Sequence, residues 1–181
     1  PIKGVTRLVL SNASSFNALS SGMLEALTEA LSKASAEEGC RVLVLAAEGK
    51  AFSTGHDLRE MRANPSHDFY VTLFEKCSRM MLLLQTLPQP VIAQVQGIAT
   101  AAGCQLVSMC DLAVASDTAR FAVSGIHYGL FCATPSVGLS RNVGRKQAME
   151  MLLTGDFIDA PSAVEKGLIN HAVPAEALAE T

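Results

Sequence analysis

Between Pro90 and Asp117 the chain reads PVIAQVQGIATAAGCQLVSMCDLAVASD, and this stretch leaves few folds open. Val91–Val95 is a β-branched run entered by a proline, Gly97–Gly103 is built mostly of small side chains, and Cys104–Cys110 is apolar at helical spacing. A second apolar strand, Asp111–Ala115, begins at once. The first amides of a helix lack intrahelical acceptors and sit at the positive end of its dipole, so a loop of Ala and Gly lets an oxygen reach them. Two readings stay open on this stretch. One is a backbone oxyanion hole at the tip of a rigid strand; the other is close helix-to-sheet packing, which welcomes small residues equally.

The same arrangement occurs earlier. Arg41–Ala46 is a continuous apolar strand, and after the polar EGK turn the segment Ala51–Asp57 (AFSTGHD) is a second small-residue loop ahead of a helix. Two such loops, each following a strand of one sheet, could bring two backbone amides onto one atom. Around them lie a strand at Val5–Leu10, a helix capped by Ser20 or Ser21 and ending near Gly39, and a long helix from Ser66 to Leu87 stopped by Pro88 and Pro90. A short strand at Arg120–Val123 leads into Ser124–Val137, read as irregular from its Gly and Pro content. A helix at Val143–Leu153 follows, then one from near Ala160 with Pro161 at N1 and Gly167 at its stop, then a last strand and a helix barely begun. Alternating strands and helices imply one α/β domain over residues 1–181 with a largely parallel sheet.

Composition narrows the partners. With 181 residues, 49% of them hydrophobic, the chain can fill a real core. Its net charge of -3 and lack of any Lys/Arg run argue against nucleic acid, and no apolar run approaches the roughly 20 residues of a membrane span. The start carries no signal-peptide or transit pattern, which points to the cytoplasm, with the mitochondrial matrix as the alternative if a leader was removed from a chain that does not begin with Met. Cys40, Cys77, Cys104, Cys110 and Cys132 form no CxxC pair and read as reduced thiols, with no metal site among them.

Four blocks in order, AFSTGHDLREM, PVIAQVQGIATAAGCQL with CDLAVASDTARF, GRKQAMEMLLTGDFIDAPSAVEKGLIN, and the short NAL at Asn17–Leu19, resemble the crotonase (enoyl-CoA hydratase/isomerase) superfamily. GHDL, AAGCQLV and GLFC are most similar to its enoyl-CoA hydratase domain-containing protein 3 subgroup. The resemblance implies a crotonase-like spiral of ββα units, an acyl-CoA thioester as ligand, and no cofactor other than the coenzyme A of that substrate. It also implies a thioester carbonyl held by the amides carried over to His56 and Ala102, with Ala18, Ser53 and Thr54 along the adenine and pantetheine arms. Relatives continue with a C-terminal helical segment that builds homotrimers or hexamers, and this chain stops at Thr181, where that segment would begin.

The departures from the pattern matter most. Family hydratases add water with two glutamates, and the matching positions here are Gln105 and Gly125. A carboxamide does not take a proton near neutral pH, and glycine has no side chain. Gln105 is expected to point into the acyl cavity, because position on a helix fixes side-chain direction. His127, two residues beyond Gly125, and His56 itself are the imidazoles able to titrate nearby, each set against an ordinary surface or structural role. Cys132 in GLFCATP reads as pocket lining, since no base partner is identifiable for it as a nucleophile, and Asp57 reads as a helix N-cap. An enoyl-CoA hydratase/isomerase-like enzyme with unorthodox acid/base groups and a non-catalytic acyl-CoA binder both fit.

Overall fold

The computed structural model describes residues 3–181 and consists of three turns of a strand-strand-helix spiral with flanking elements. After β1 (Val5–Leu10) and α1 (Ser21–Ala36), the first turn runs β2 (Val42–Ala47), β3 (Ala51–Ser53), α2 (Leu58–Ala63) and α3 (His67–Thr86). The second is β4 (Val91–Val95), β5 (Ile98–Thr100), α4 (Ala102–Met109). The third is β6 (Leu112–Ser116), β7 (Arg120–Ala122), a 3-10 turn at Ser124–Tyr128, and α5 (Ala133–Asn142). Then come α6 (Arg145–Thr154), β8 (Ile158–Asp159), α7 (Ala160–Glu165), β9 (His171–Val173) and a closing 3-10 turn at Ala175–Ala177.

Each turn places its first strand in one sheet and its second strand in another. The larger sheet has order β1-β2-β4-β6-β9 and is parallel throughout; the smaller has order β3-β5-β7-β8, with only the β7–β8 pair antiparallel. The parallel sheet expected from the alternation is present, but the residues after β2 and β4 are not simple loops. Ala51–Ser53 and Ile98–Thr100 are short strands, and it is from these, in the second sheet, that the two small-residue turns depart. Three-residue strands carry too little periodicity to be told from a turn in the sequence.

Close approach explains the small residues. A Cβ on Gly97 would overlap the Lys50 carbonyl and one on Gly103 the Ser53 carbonyl, so both glycines let the second turn of the spiral lie directly on the first. Ser124–Val137, expected to be irregular, holds a whole helical turn and the start of α5. Pro135 falls in the first turn of α5, where no intrahelical amide is lost, and Gly138, just past this segment, packs α5 onto Ser108 and Met109 of α4. Residues that punctuate loops elsewhere serve here as contact surface.

The core forms where α1 and α3 cover the larger sheet. Leu24, Leu27 and Leu31 of α1 and Leu73, Met80, Met81 and Leu84 of α3 recur at helical spacing and are buried, with Ser20 and Ser66 capping the two helices by accepting from Met23 and Phe69 amides. Leu84→Ala should therefore cost about 2–5 kcal/mol, whereas Leu82→Ala, at a position 56% exposed, should stay within about 0.5 kcal/mol. Urea denaturation of the two variants checks the contrast.

Candidate active site

The site begins with a strand pairing. β3 and β5 run parallel, with Ala51 opposite Ile98 and Ser53 opposite Ala99, so the turns that follow them emerge side by side. They touch: a Cβ on Gly55, which has φ +85°, would lie 2.9 Å from Ala101 Cβ and 3.0 Å from the Ala102 nitrogen. Only glycine meets both the left-handed backbone and that spacing. Ala101 is held at φ 51° and ψ -124°, a region costing a non-glycine residue about 1–3 kcal/mol. Its amide is fixed on the Ala122 carbonyl at 3.0 Å, and its own carbonyl receives the Gln105 amide at 3.1 Å, which starts α4. Among the described residues the amides of His56 and Ala102 have no protein acceptor. Ala102 is the first residue of α4, so its amide adds the positive end of a helix dipole.

A buried polar knot holds the first turn. Asn17, wholly buried at φ 53°, donates through Nδ2 to the carbonyls of Glu48 (2.9 Å) and Ala51 (2.8 Å) and accepts the Asn12 amide at 2.9 Å. Ser53 Oγ donates to the Asn17 carbonyl at 2.9 Å and accepts the Gly55 amide at 3.3 Å. The Leu19 amide donates to the Gly55 carbonyl at 2.7 Å, and His56 Nδ1 lies 3.3 Å from the Leu19 carbonyl. Ser53 is thus fully buried beneath the turn and does not line the cleft, which corrects its assignment to the ligand arm. Its hydroxyl shapes the turn from below.

Above the two turns opens a cleft of about 920 Å³ whose wall includes Ala18, Thr54, His56, Ala102, His127 and Cys132. Gly125 lies in the same wall, while Gln105 does not. Gln105 is only 6% exposed and its Oε1 is buried without a partner, so the expectation that its side chain lines the acyl cavity is corrected: it does not form part of the open cleft wall. Gly125 is also more than a missing side chain. A Cβ there would stand 2.6 Å from Cys132 Sγ and 2.7 Å from the Leu130 carbonyl, so the loop has closed over the place where a side chain would leave the backbone.

The remaining groups are held as follows. Cys132 Sγ accepts the Gly125 amide at 3.3 Å, and burial pushes its thiol pKa up, which suits pocket lining rather than nucleophilic attack. His127 Nε2 lies 2.9 Å from the Thr154 carbonyl. A carbonyl only accepts, so Nε2 carries a proton and, in the neutral ring, Nδ1 keeps the lone pair. Thr100 Oγ1 and Ser124 Oγ, 2.8 Å apart, join the turn before Ala102 to the turn before Gly125. Both line the cleft, and the sequence reading missed them; their only signal was position, Thr100 at the end of β5 and Ser124 at the start of the turn after β7. Asp57 caps α2 as expected, accepting the Arg59 and Glu60 amides. Among the described residues no group of three or more His, Cys, Asp or Glu is placed to hold a metal ion.

The sequence profile of the enoyl-CoA hydratase/isomerase family matches residues 2–181. The chain belongs to that family. It is 48% identical over 175 residues to the protein named enoyl-CoA hydratase domain-containing protein 3, mitochondrial, of Xenopus laevis, covering 97% of this chain and 60% of the relative. The crystal structure of an enoyl-CoA hydratase of Mycobacterium smegmatis shares 58% identity with a TM-score of 0.97, covering 99% of this chain and 70% of that one. The crystal structure of human enoyl-CoA hydratase domain-containing protein 3 shares 44% identity with a TM-score of 0.96, covering 99% and 71%. The chain therefore spans about 60% of the length of the curated relatives it matches. The crotonase fold read from four sequence blocks is the fold observed.

Two predictions follow from the geometry of this family member's site. Burial lowers the His56 pKa from 6.5, outweighing the Leu19 carbonyl and the Glu60 charge, which raise it. The unfolded chain then binds the extra proton first, so this contribution to stability is complete above about pH 6.5 and is lost as pH falls toward and through the folded pKa. Denaturation at pH 7.5 and pH 5 should show a loss on acidification that is smaller in His56→Phe than in wild type. Gly125→Glu should destabilise the protein by about 1–3 kcal/mol through overpacking, rather than supply a working carboxylate, as a melting curve and a crotonyl-CoA hydration assay together would show.

Proposed function

We propose that the chain binds an acyl-CoA thioester with its carbonyl oxygen between the amides of His56 and Ala102. There it stabilises a thioester enolate without the glutamate pair of family hydratases. The observation that carries this reading is the pair of amides without acceptors at the ends of adjacent parallel strands, on residues lining one cleft. Negative charge gathers on that oxygen as an enolate forms, and removing one preorganised donor typically costs about 3 kcal/mol of transition-state stabilisation. Ala18 and Thr54, both in the cleft wall, suit the pantetheine arm.

What the site lacks is a carboxylate at either position where the hydratases carry one. General acid/base groups contribute about 10²- to 10⁴-fold each, so hydration of short enoyl thioesters should be weak. His127 is the candidate for proton transfer, with its ring oriented by the Thr154 carbonyl and Nδ1 left as the acceptor. A second reading, an acyl-CoA binder without turnover, is favoured by one specific observation: the backbone at Gly125 is closed by Leu130 and Cys132 and leaves no space for the second carboxylate. By family resemblance the whole protein is a homotrimer or hexamer. The relatives named mitochondrial favour the matrix over the cytoplasm as its compartment.

Calorimetric titration tests the reading. Butyryl-CoA should bind more tightly than CoA alone, and Ala102→Pro, which deletes one donor, should remove that difference. Crotonyl-CoA should be hydrated at most slowly by the wild-type protein. Equal affinity for butyryl-CoA and CoA would contradict the thioester site; fast hydration would contradict the missing acid/base pair.

A further inference from the structure

Thr100 and Ser124 bring hydroxyls to the cleft wall that the two amides do not need. Thr100 ends β5, two residues before Ala102, and Ser124 immediately precedes Gly125, so the pair stands where the second and third turns of the spiral meet. Each hydroxyl has one hydrogen to donate. With the oxygens 2.8 Å apart, one of the two hydrogens lies between them. Among the described residues neither oxygen has another hydrogen-bond partner, so one O–H is left without a protein acceptor whichever oxygen donates to the other. Thr100 is buried and Ser124 half-buried, which limits competition from bulk water. The first hydrogen bond also polarises the second hydroxyl and makes it the better donor. A spare donor in a partly dry wall gains from a ligand that brings an acceptor, and a site that holds one discriminates against ligands that do not.

We infer that the Thr100–Ser124 pair is a specificity-determining donor of the cleft, giving its spare hydrogen to an acceptor oxygen on the acyl group, so that 3-oxoacyl thioesters are favoured over plain acyl thioesters. The inference rests on the acyl-thioester reading above and adds the chemistry of the acyl group. Position sets the reach. Thr100 and Ala102 are two residues apart, a backbone span of at most about 7 Å, and a 3-oxo carbon lies a comparably short way, two bonds, from the thioester carbonyl carbon. A neutral oxygen suits the pair better than a carboxylate. Arg59 is the one Lys or Arg in the cleft wall, and it belongs to α2 in the first turn of the spiral, whereas the pair joins the second and third. One neutral O–H does not offset the desolvation of an ionised carboxylate. The pair is linked across two turns before a ligand arrives, so little ordering is needed on binding.

The test is calorimetric titration of the protein with acetoacetyl-CoA, butyryl-CoA and CoA. The wild type should bind acetoacetyl-CoA about five- to tenfold more tightly than butyryl-CoA. Acetoacetyl-CoA enolises by itself and gains from the two amides whatever side chains surround it, so the readout is the change in this affinity ratio between proteins. Thr100→Val and Ser124→Ala each remove one hydroxyl and free the hydrogen of the other, so each alone should keep part of the preference. The double variant has no hydroxyl left and should lower the ratio by about fivefold. A merely structural role for the pair would weaken both thioesters together and leave the ratio where it was. Equal wild-type affinities for the two thioesters, or a ratio unchanged in the double variant, would overturn the inference and leave the thioester site standing. If neither thioester binds better than CoA, the thioester reading itself fails and takes this inference with it. Should the double variant not fold, the single variants decide: a lowered ratio in either supports the inference, and an unchanged ratio in both overturns it.

Discussion

Everything distinctive in this structure depends on the parallel pairing of two three-residue strands, β3 and β5, in the smaller sheet. Strands that short gain little stability of their own, and they are held because the longer strands of the first sheet, β2 and β4, are already in register, with Leu43 opposite Val91 and Leu45 opposite Ala93. The larger sheet sets the pitch of the spiral, and the smaller one brings the two turns together. Contact between Gly55 and Ala101 then leaves two amides without acceptors where a folded chain ordinarily leaves none. Unpaired donors and the strained backbone of Ala101 are both costs of about 1–3 kcal/mol, and they are concentrated in one place.

Those costs persist because the surroundings permit no relaxation. Asn17 and Ser53 tie the His56 turn to the segment before α1, and the Ala122 carbonyl holds Ala101 from the neighbouring strand. Every polar atom of this knot that is named above has its partner, in contrast to His56 Nε2 and Gln105 Oε1, which have none. The distinction separates the two kinds of buried polar group here. Satisfied ones build the turn, and the unsatisfied ones are buried without partners.

Much of the fold was legible because long elements carry their own periodicity. Ser20 as a cap, the helical spacing from Leu24 to Leu31, and the apolar runs at Val42 and Val91 state their structure locally. Of the second sheet only the strand at Arg120–Ala122 was legible, since Ala51–Ser53 and Ile98–Thr100 differ from turns only through partners distant in sequence. At the site, sequence identified His56, Ala102, Thr54, Ala18, His127 and Cys132, all of which line the cleft. It misplaced Ser53 and Gln105, whose orientation is set by which side of a strand or helix meets the spiral's interior. Nor does Gly125 read, in sequence, as a position sealed by Leu130 and Cys132; an absent side chain and an occupied space look alike until the loop is folded. The Thr100–Ser124 hydroxyl pair joins two loops, and neither residue announces the other.

The central claim is that two turns in contact form one receptor for a thioester oxygen. A crystal structure of the protein with a saturated acyl-CoA measures this directly. The thioester oxygen is predicted to lie about 2.7–3.1 Å from the nitrogens of both His56 and Ala102, with the acyl chain beside the His56 ring. A bound thioester whose oxygen sits away from both amides, with the coenzyme in some other part of the cleft, would contradict the account.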